Sequence, residues 1–215
     1  MTDAAQTDKR APPRGFLAPY RVIPDFLGAD LVAELLAFAR DHEAAFAPTG
    51  VGGGAGRVTD PQIRRSRGLR ALGRFRPLLK ARLRERAPAL IAALRMSPFE
   101  VSRIELELVA HGDGAFYKRH IDTATSSGGE HMRVLSAVYY FHRQPKPFTG
   151  GALRLHAIGD DARFVDIEPL CDGLLIFPAW APHEVMPVSV PSGRFADSRF
   201  AINCWLKQRR PQATP

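Results

Sequence analysis

The chain has 215 residues, a formal net charge of +8 and 45% hydrophobic residues, enough for one domain with a sizeable core. No apolar run approaches the roughly 18 residues of a membrane span, and the polar start MTDAAQTDKRAPPRG lacks the apolar stretch of an export signal, so neither a membrane nor a secreted role is expected. Cys171 and Cys204 each lie inside an apolar segment, which predicts buried free thiols and a cytoplasmic chain.

Residues 1–18 are polar, proline-bearing and aperiodic, and read as a disordered leader. Tyr20–Phe26 reads as a short strand. A helix is expected from Gly28 to about Phe46, with Leu31, Leu35, Phe38 and Ala39 as its apolar stripe and Asp30 as its N-cap. Pro48 to Gly56 is a glycine-rich loop. Arg64–Leu72 alternates basic with small or apolar residues and predicts a strand. Phe75–Leu94 predicts a second helix, with Pro77 near its start and Pro88 ending it, kinking it or beginning another turn.

From residue 99 the period becomes two. Ile104, Leu106 and Leu108 alternate with Glu105 and Glu107, which predicts a half-exposed strand. Further strands are expected at Ala115–His120, Arg133–His142, Ala152–Ala157, Arg163–Ile167, Gly173–Pro178, His183–Val190 and Arg199–Lys207, with glycine- or proline-bearing turns between them. Helices precede the strands and do not alternate with them. The fold class expected is therefore mainly β with α, a sandwich or jelly roll supported by N-terminal helices.

Within this pattern His120 and Asp122 are two residues apart, so on a strand both side chains point to one face. His183, from a later strand, supplies a second imidazole. Two imidazoles and one carboxylate on one face of a metal, with three positions left open, suit a non-haem Fe(II) oxygenase. His42, His111, His131, His142 and His156 lack such context and are read as ordinary core or surface histidines.

The ordered stretches HGDGAFYKRHID, RVLSAVYYF, GGALRL, DIEP, LLIFP, HEVMPV and RFAINCW resemble the double-stranded β-helix core of Fe(II)/2-oxoglutarate dioxygenases of the prolyl 4-hydroxylase superfamily. The resemblance covers about the last half of the chain. It implies one dioxygenase domain over 19–210, with helical support over about 19–98 and a jelly-roll core over about 99–210. It further implies that His120, Asp122 and His183 bind Fe(II), that 2-oxoglutarate and O2 are consumed with ascorbate as an accessory reductant, and that an aliphatic C–H bond is hydroxylated. Arg199, six residues before Trp205, is expected to hold the distal carboxylate of 2-oxoglutarate, and Tyr140, not its neighbour Tyr139, to hydrogen-bond it. Leu153 and Asn203 are assigned to the cosubstrate pocket, and Phe177 and Trp205 to the core. Gly150-Gly151 is read as structural.

The resemblance is imperfect at two places. The segment SVPSGRFADS lengthens the connection after His183, so that Arg194 competes with Arg199. Ala110 stands where several members carry an aromatic near the iron. Substrate is read more coarsely. Thr49–Arg67 is expected to form a lid, and residues 57–86 hold eleven basic side chains against Asp60 and Glu85. The first candidate is a prolyl residue in a peptide or protein, with a small-molecule substrate as an alternative. A nucleic-acid dioxygenase is disfavoured because no aromatic interleaving supports base stacking. A non-catalytic iron- or oxygen-sensing module is the remaining alternative.

Overall fold

The first helix shows how distant residues set local structure. In this computed structural model, which describes residues 15–51, 58–123 and 129–210, strand β1 (Arg21–Ile23) leads into helix α1 (Ala29–Asp41). Val32, Leu35 and Ala39 recur at helical spacing and face the core, with Leu31 and Phe38 packed beside them. The expected cap is corrected: Gly28, at φ 94°, is the N-cap and no side chain caps the helix. Asp30 instead lies in the first turn, where its charge suits the helix dipole. The N–H groups of Leu27 and Gly28 are accepted by Asp172, at 2.9 and 2.8 Å, and Tyr139 Oη donates to the same carboxylate at 2.8 Å. Asp172→Ala strands these three donors in a buried place and is expected to lower unfolding free energy by about 3 kcal/mol in a denaturant titration.

The helix stops at Asp41 and a 3-10 turn, Glu43–Ala45, carries the chain on, short of the expected end at Phe46. After β2 (Ala47–Pro48), the segment expected as one strand divides at Ser66 into β3 (Arg64–Arg65) and β4 (Arg67–Leu69), which belong to different sheets. Helix α2 (Phe75–Ala93) buries Phe75, Leu79, Leu83, Ala87, Leu90 and Ile91. Pro88 removes one ladder bond, yet the helix runs through it because the buried stripe continues beyond.

The strands that follow are β5 (Arg103–His111), β6 (Phe116–His120), β7 (His131–Phe141), β8 (Thr149–Gly150), β9 (Leu153–Ala157), β10 (Asp160–Ile167), β11 (Gly173–Pro178), β12 (His183–Val185), β13 (Val188–Ser189) and β14 (Arg199–Arg209). The expected strand His183–Val190 is thus interrupted at Met186 and Pro187. A seven-stranded sheet, β1-β11-β7-β14-β5-β4-β2, faces a five-stranded sheet, β10-β9-β12-β6-β3, and β13 pairs with β8. All pairings are antiparallel. This is the jelly roll with supporting helices that the strand spacing predicts.

The large sheet buries both faces. Leu106, Leu108, Tyr139, Ile202 and Cys204 pack outward against the helices, whereas Val138, Tyr140, Phe177 and Ala201 pack inward against Leu153 and Leu155 of the small sheet. Strand β5 is therefore not half-exposed: its alternate residues Glu105 and Glu107 line the cavity between the sheets. Both cysteines are free, Cys204 buried and Cys171 only half-buried because it lies at the edge of the helix-facing cluster.

Candidate active site

Register brings the two histidines face to face. His183, the first residue of β12, is the cross-strand partner of His120, the last residue of β6. Asp122 lies past the end of β6, where its N–H and that of Thr123 both donate to the carbonyl of Ala179. The bend after the strand, and not strand alternation, therefore aims its carboxylate. Asp122 Oδ1 stands 3.8 Å from His120 Nε2, and Oδ2 stands 3.7 Å from His183 Nε2. Ligand atoms of the three residues all fall within 4.8 Å of one another, a spacing that can hold one metal ion.

The surroundings fix the orientation of each group. His120 Nδ1 faces the Lys118 carbonyl at 2.8 Å and His183 Nδ1 faces the Ala181 carbonyl at 2.9 Å. Each ring therefore carries its hydrogen on Nδ1 and presents the Nε2 lone pair inward, as ligating imidazoles require. Burial, with the neighbouring His183, holds the His120 pKa down to about 3, so the ring is neutral at physiological pH. Burial pushes the Asp122 carboxyl up, but the imidazoles of His183 and His120 and hydrogen bonds from Ser136 and Trp205 outweigh it and keep the group ionised. Ser136 Oγ donates to Asp122 Oδ2 at 2.6 Å. His183 packs edge-on to Phe177, and Tyr117 stacks on His120 at 3.6 Å with the Arg64 guanidinium 4.8 Å above its ring.

Farther in lies a cation. Arg199, only 1% exposed, stands opposite His111 in register, with its guanidinium 4.7 Å over the Tyr140 ring. Nη1 donates to His111 Nδ1 at 3.3 Å, while Nε and Nη2 are buried without a hydrogen-bond partner in the protein; Tyr140 Oη is likewise unpartnered. No carboxylate forms an ion pair with Arg199 among the described residues. A buried guanidinium left this way fits a bound anion. Gly151, at φ 73°, makes room: a Cβ there would stand 2.7 Å from Arg199 Cδ and 3.1 Å from its Nε. The glycine read as structural is thus also a close approach to the site.

The cavity, about 660 Å³, joins the triad to Arg199 and is also lined by Leu153 and Asn203. Trp205 is a half-buried wall of this cavity under the Arg133 guanidinium, 3.8 Å from the ring centroid, not core as expected. Arg194 lies elsewhere, at the surface, with Nε 2.8 Å from Asp197. Ala110 faces the helices, and the next residue, His111, turns into the cavity. Sequence reasoning missed His111, Arg64 and Tyr117. Only strand register, set by the pairing of His111 with Arg199 and of Tyr117 with Arg64, reveals them. The expected lid is pinned at its ends, where Thr49 bonds to Ser66 and Val51 bridges to Val58; residues 52–57 lie outside the described part.

A jelly roll with two imidazoles and one carboxylate converging on its inner face belongs to the class of non-haem iron oxygenase scaffolds. Residues 106–207 match the sequence model of the 2OG-Fe(II) oxygenase superfamily. Its cofactors are Fe(II), 2-oxoglutarate and O2, and the chain presents the His-Asp-His set suited to the metal. An uncharacterized PKHD-type hydroxylase of Synechocystis is 38% identical over 139 residues, covering 61% of this chain and 45% of the relative. The chain thus spans about half the length of that curated relative. A crystal structure of a Pseudomonas putida prolyl-4-hydroxylase superposes with a TM-score of 0.66 at 26% identity, covering 90% of this chain and 94% of that one. A Trichoplax adhaerens prolyl hydroxylase, solved with a hypoxia inducible factor peptide fragment, shares the fold at a TM-score of 0.63 and 23% identity over 88% of this chain and 83% of that one. The resemblance to prolyl 4-hydroxylases seen in the sequence is borne out. No helix among the described residues is long and apolar enough to cross a membrane.

Proposed function

We propose that the chain is an Fe(II)- and 2-oxoglutarate-dependent dioxygenase that hydroxylates an aliphatic C–H bond, with a prolyl residue in a peptide or protein as the first candidate. The observation that carries this reading is the pairing of a metal-sized His120–Asp122–His183 cluster with a buried, carboxylate-free Arg199 in one cavity. His120 Nε2, His183 Nε2 and an Asp122 oxygen would hold the metal. Arg199 and Tyr140 would bind the distal carboxylate of 2-oxoglutarate, and Leu153 and Asn203 would flank it. When bound, Fe(II) with 2-oxoglutarate and O2 supplies the oxidising chemistry, one oxygen atom entering the substrate and the other entering succinate as CO2 leaves.

The chain's own residues position and shield. The Lys118 and Ala181 carbonyls lock both imidazole tautomers, and Ser136 holds the carboxylate. Phe177, Val138 and Leu153 keep the inner wall apolar. No side-chain acid or base is assigned, because hydrogen abstraction from carbon needs none. The prolyl hydroxylase neighbours support proline as target, and the free thiols support a cytoplasmic setting.

The test is incubation with Fe(II), 2-oxoglutarate, O2 and ascorbate, with and without prolyl peptides. The expected result is metal-dependent succinate release, and a peptide mass gain of one oxygen atom where the sequence suits. Succinate no higher than in a metal-free control contradicts the proposal. Gly151→Ala is expected to displace the Arg199 guanidinium and raise KM for 2-oxoglutarate several-fold, with metal affinity by calorimetric titration unchanged.

A further inference from the structure

The wall of the main cavity carries seven cationic side chains and three carboxylates. Most of these have assigned partners. Glu105 accepts from Arg133 and Lys207, each at 3.0 Å, and its carboxyl stays ionised because these two cations outweigh the opposing effect of burial. Glu107 lies between Arg64, at 3.5 Å, and Arg70, at 3.7 Å. Asp122 belongs to the triad and Arg199 to the inner end. Three cations remain, Arg76, Lys80 and Arg103. None has a carboxylate partner among the described residues, and Arg76 only donates to the Arg70 carbonyl.

These three occupy the outer part of the cavity. Arg103 begins β5 and pairs in register with Lys207, at the opposite end of the strand from His111 and its partner Arg199. Arg76 and Lys80 stand one turn apart on α2, so they share one face of that helix. The next strand over, β4, pairs only with the far part of β5, at Leu108, Val109 and Ala110. On the side away from β14, β5 at 103–107 therefore has no strand partner among the described residues. Among the exposed arginines outside the cavity, Arg74 pairs with Glu34 and Arg119 with Asp161, whereas Arg84, Arg86 and Arg95 have no carboxylate partner among the described residues. Three unpaired cations thus line the same cavity as the triad.

We propose that this mouth selects a peptide or protein segment bearing carboxylates beside the residue to be oxidised, with Arg76, Lys80 and Arg103 as the specificity-determining cations. The proposal rests on the hydroxylase reading above, since it names the substrate class of the same site. The free β5 edge favours an extended peptide over a compact metabolite, because an added strand satisfies backbone groups while the flanking cations read its side chains. Exposed charges act over about one Debye length, about 8 Å at physiological ionic strength, so recognition weakens as salt rises.

The test uses the full chain with Fe(II) and 2-oxoglutarate, held without oxygen. Anisotropy reports binding of labelled prolyl peptides of one length with acidic, neutral or basic flanks, and of a single-stranded oligonucleotide. The acidic-flanked peptide is expected to bind about tenfold or more tightly than the neutral one. Lys80→Glu/Arg103→Glu should erase that preference. Arg21→Glu/Arg86→Glu, which makes the same change in net charge on exposed residues outside the cavity, should keep it. Equal binding of acidic and neutral peptides overturns the proposal. So does a preference that survives Lys80→Glu/Arg103→Glu, equal loss in both double variants, or tighter binding of the oligonucleotide. Succinate release by the unaltered chain in air separates the two ideas: turnover without acidic preference sinks only this proposal, and acidic binding without turnover sinks only the hydroxylase reading.

Discussion

His183→Ala is expected to reduce succinate formation by more than about a hundredfold while leaving the fold intact. Loss of an outer partner of a metal ligand already costs about 10- to 100-fold, and this change would remove one of the three proposed protein ligands. His183 is 4% exposed and packs against Phe177, so the truncation also opens a small cavity. Asp122→Asn provides the complement, keeping volume and removing the ligand charge. Both variants should retain the circular dichroism of the parent and fail to bind Fe(II) stoichiometrically. Turnover near the parental rate in either one would show that the metal lies elsewhere.

Arg199→Ala should act on the cosubstrate and spare the metal. A charged hydrogen bond contributes about 1.5–3 kcal/mol, so 2-oxoglutarate should bind roughly tenfold or more weakly. Fe(II) affinity should move far less, because no atom of Arg199 belongs to the ligating cluster. Arg199→Lys should recover part of the loss, since one ammonium replaces a fork of parallel donors. Arg194→Ala is the control. That side chain is exposed and paired with Asp197, and its loss should leave KM for 2-oxoglutarate unchanged. The opposite pattern, with Arg194 essential and Arg199 dispensable, would exchange their roles.

Much of this site was legible because a strand has a period of two. Alternation separates Tyr140, which faces the small sheet beneath Arg199, from Tyr139, which faces the helices, and aligns Arg199 with Asn203. The same rule says that a strand has two faces but not what covers each. Glu105 and Glu107 were therefore read toward water, whereas they face a polar cavity supplied with cations from Arg64, Arg70, Arg133 and Lys207. The helix start escapes a local reading because the N–H groups of Leu27 and Gly28, just before it, are held by Asp172, 145 and 144 residues away. Register decided the rest. A shift of one residue exchanges Ala110 for His111, and with it an apolar helix contact for a hydrogen-bond partner of Arg199.

The most direct measurement is a crystal structure of the chain with Mn(II), as a redox-silent substitute for Fe(II), and 2-oxoglutarate. One metal ion should rest on His120 Nε2, Asp122 and His183 Nε2, with the distal carboxylate of 2-oxoglutarate against Arg199 and Tyr140. Metal bound away from these three side chains, or the carboxylate seated on Arg194, would contradict the account.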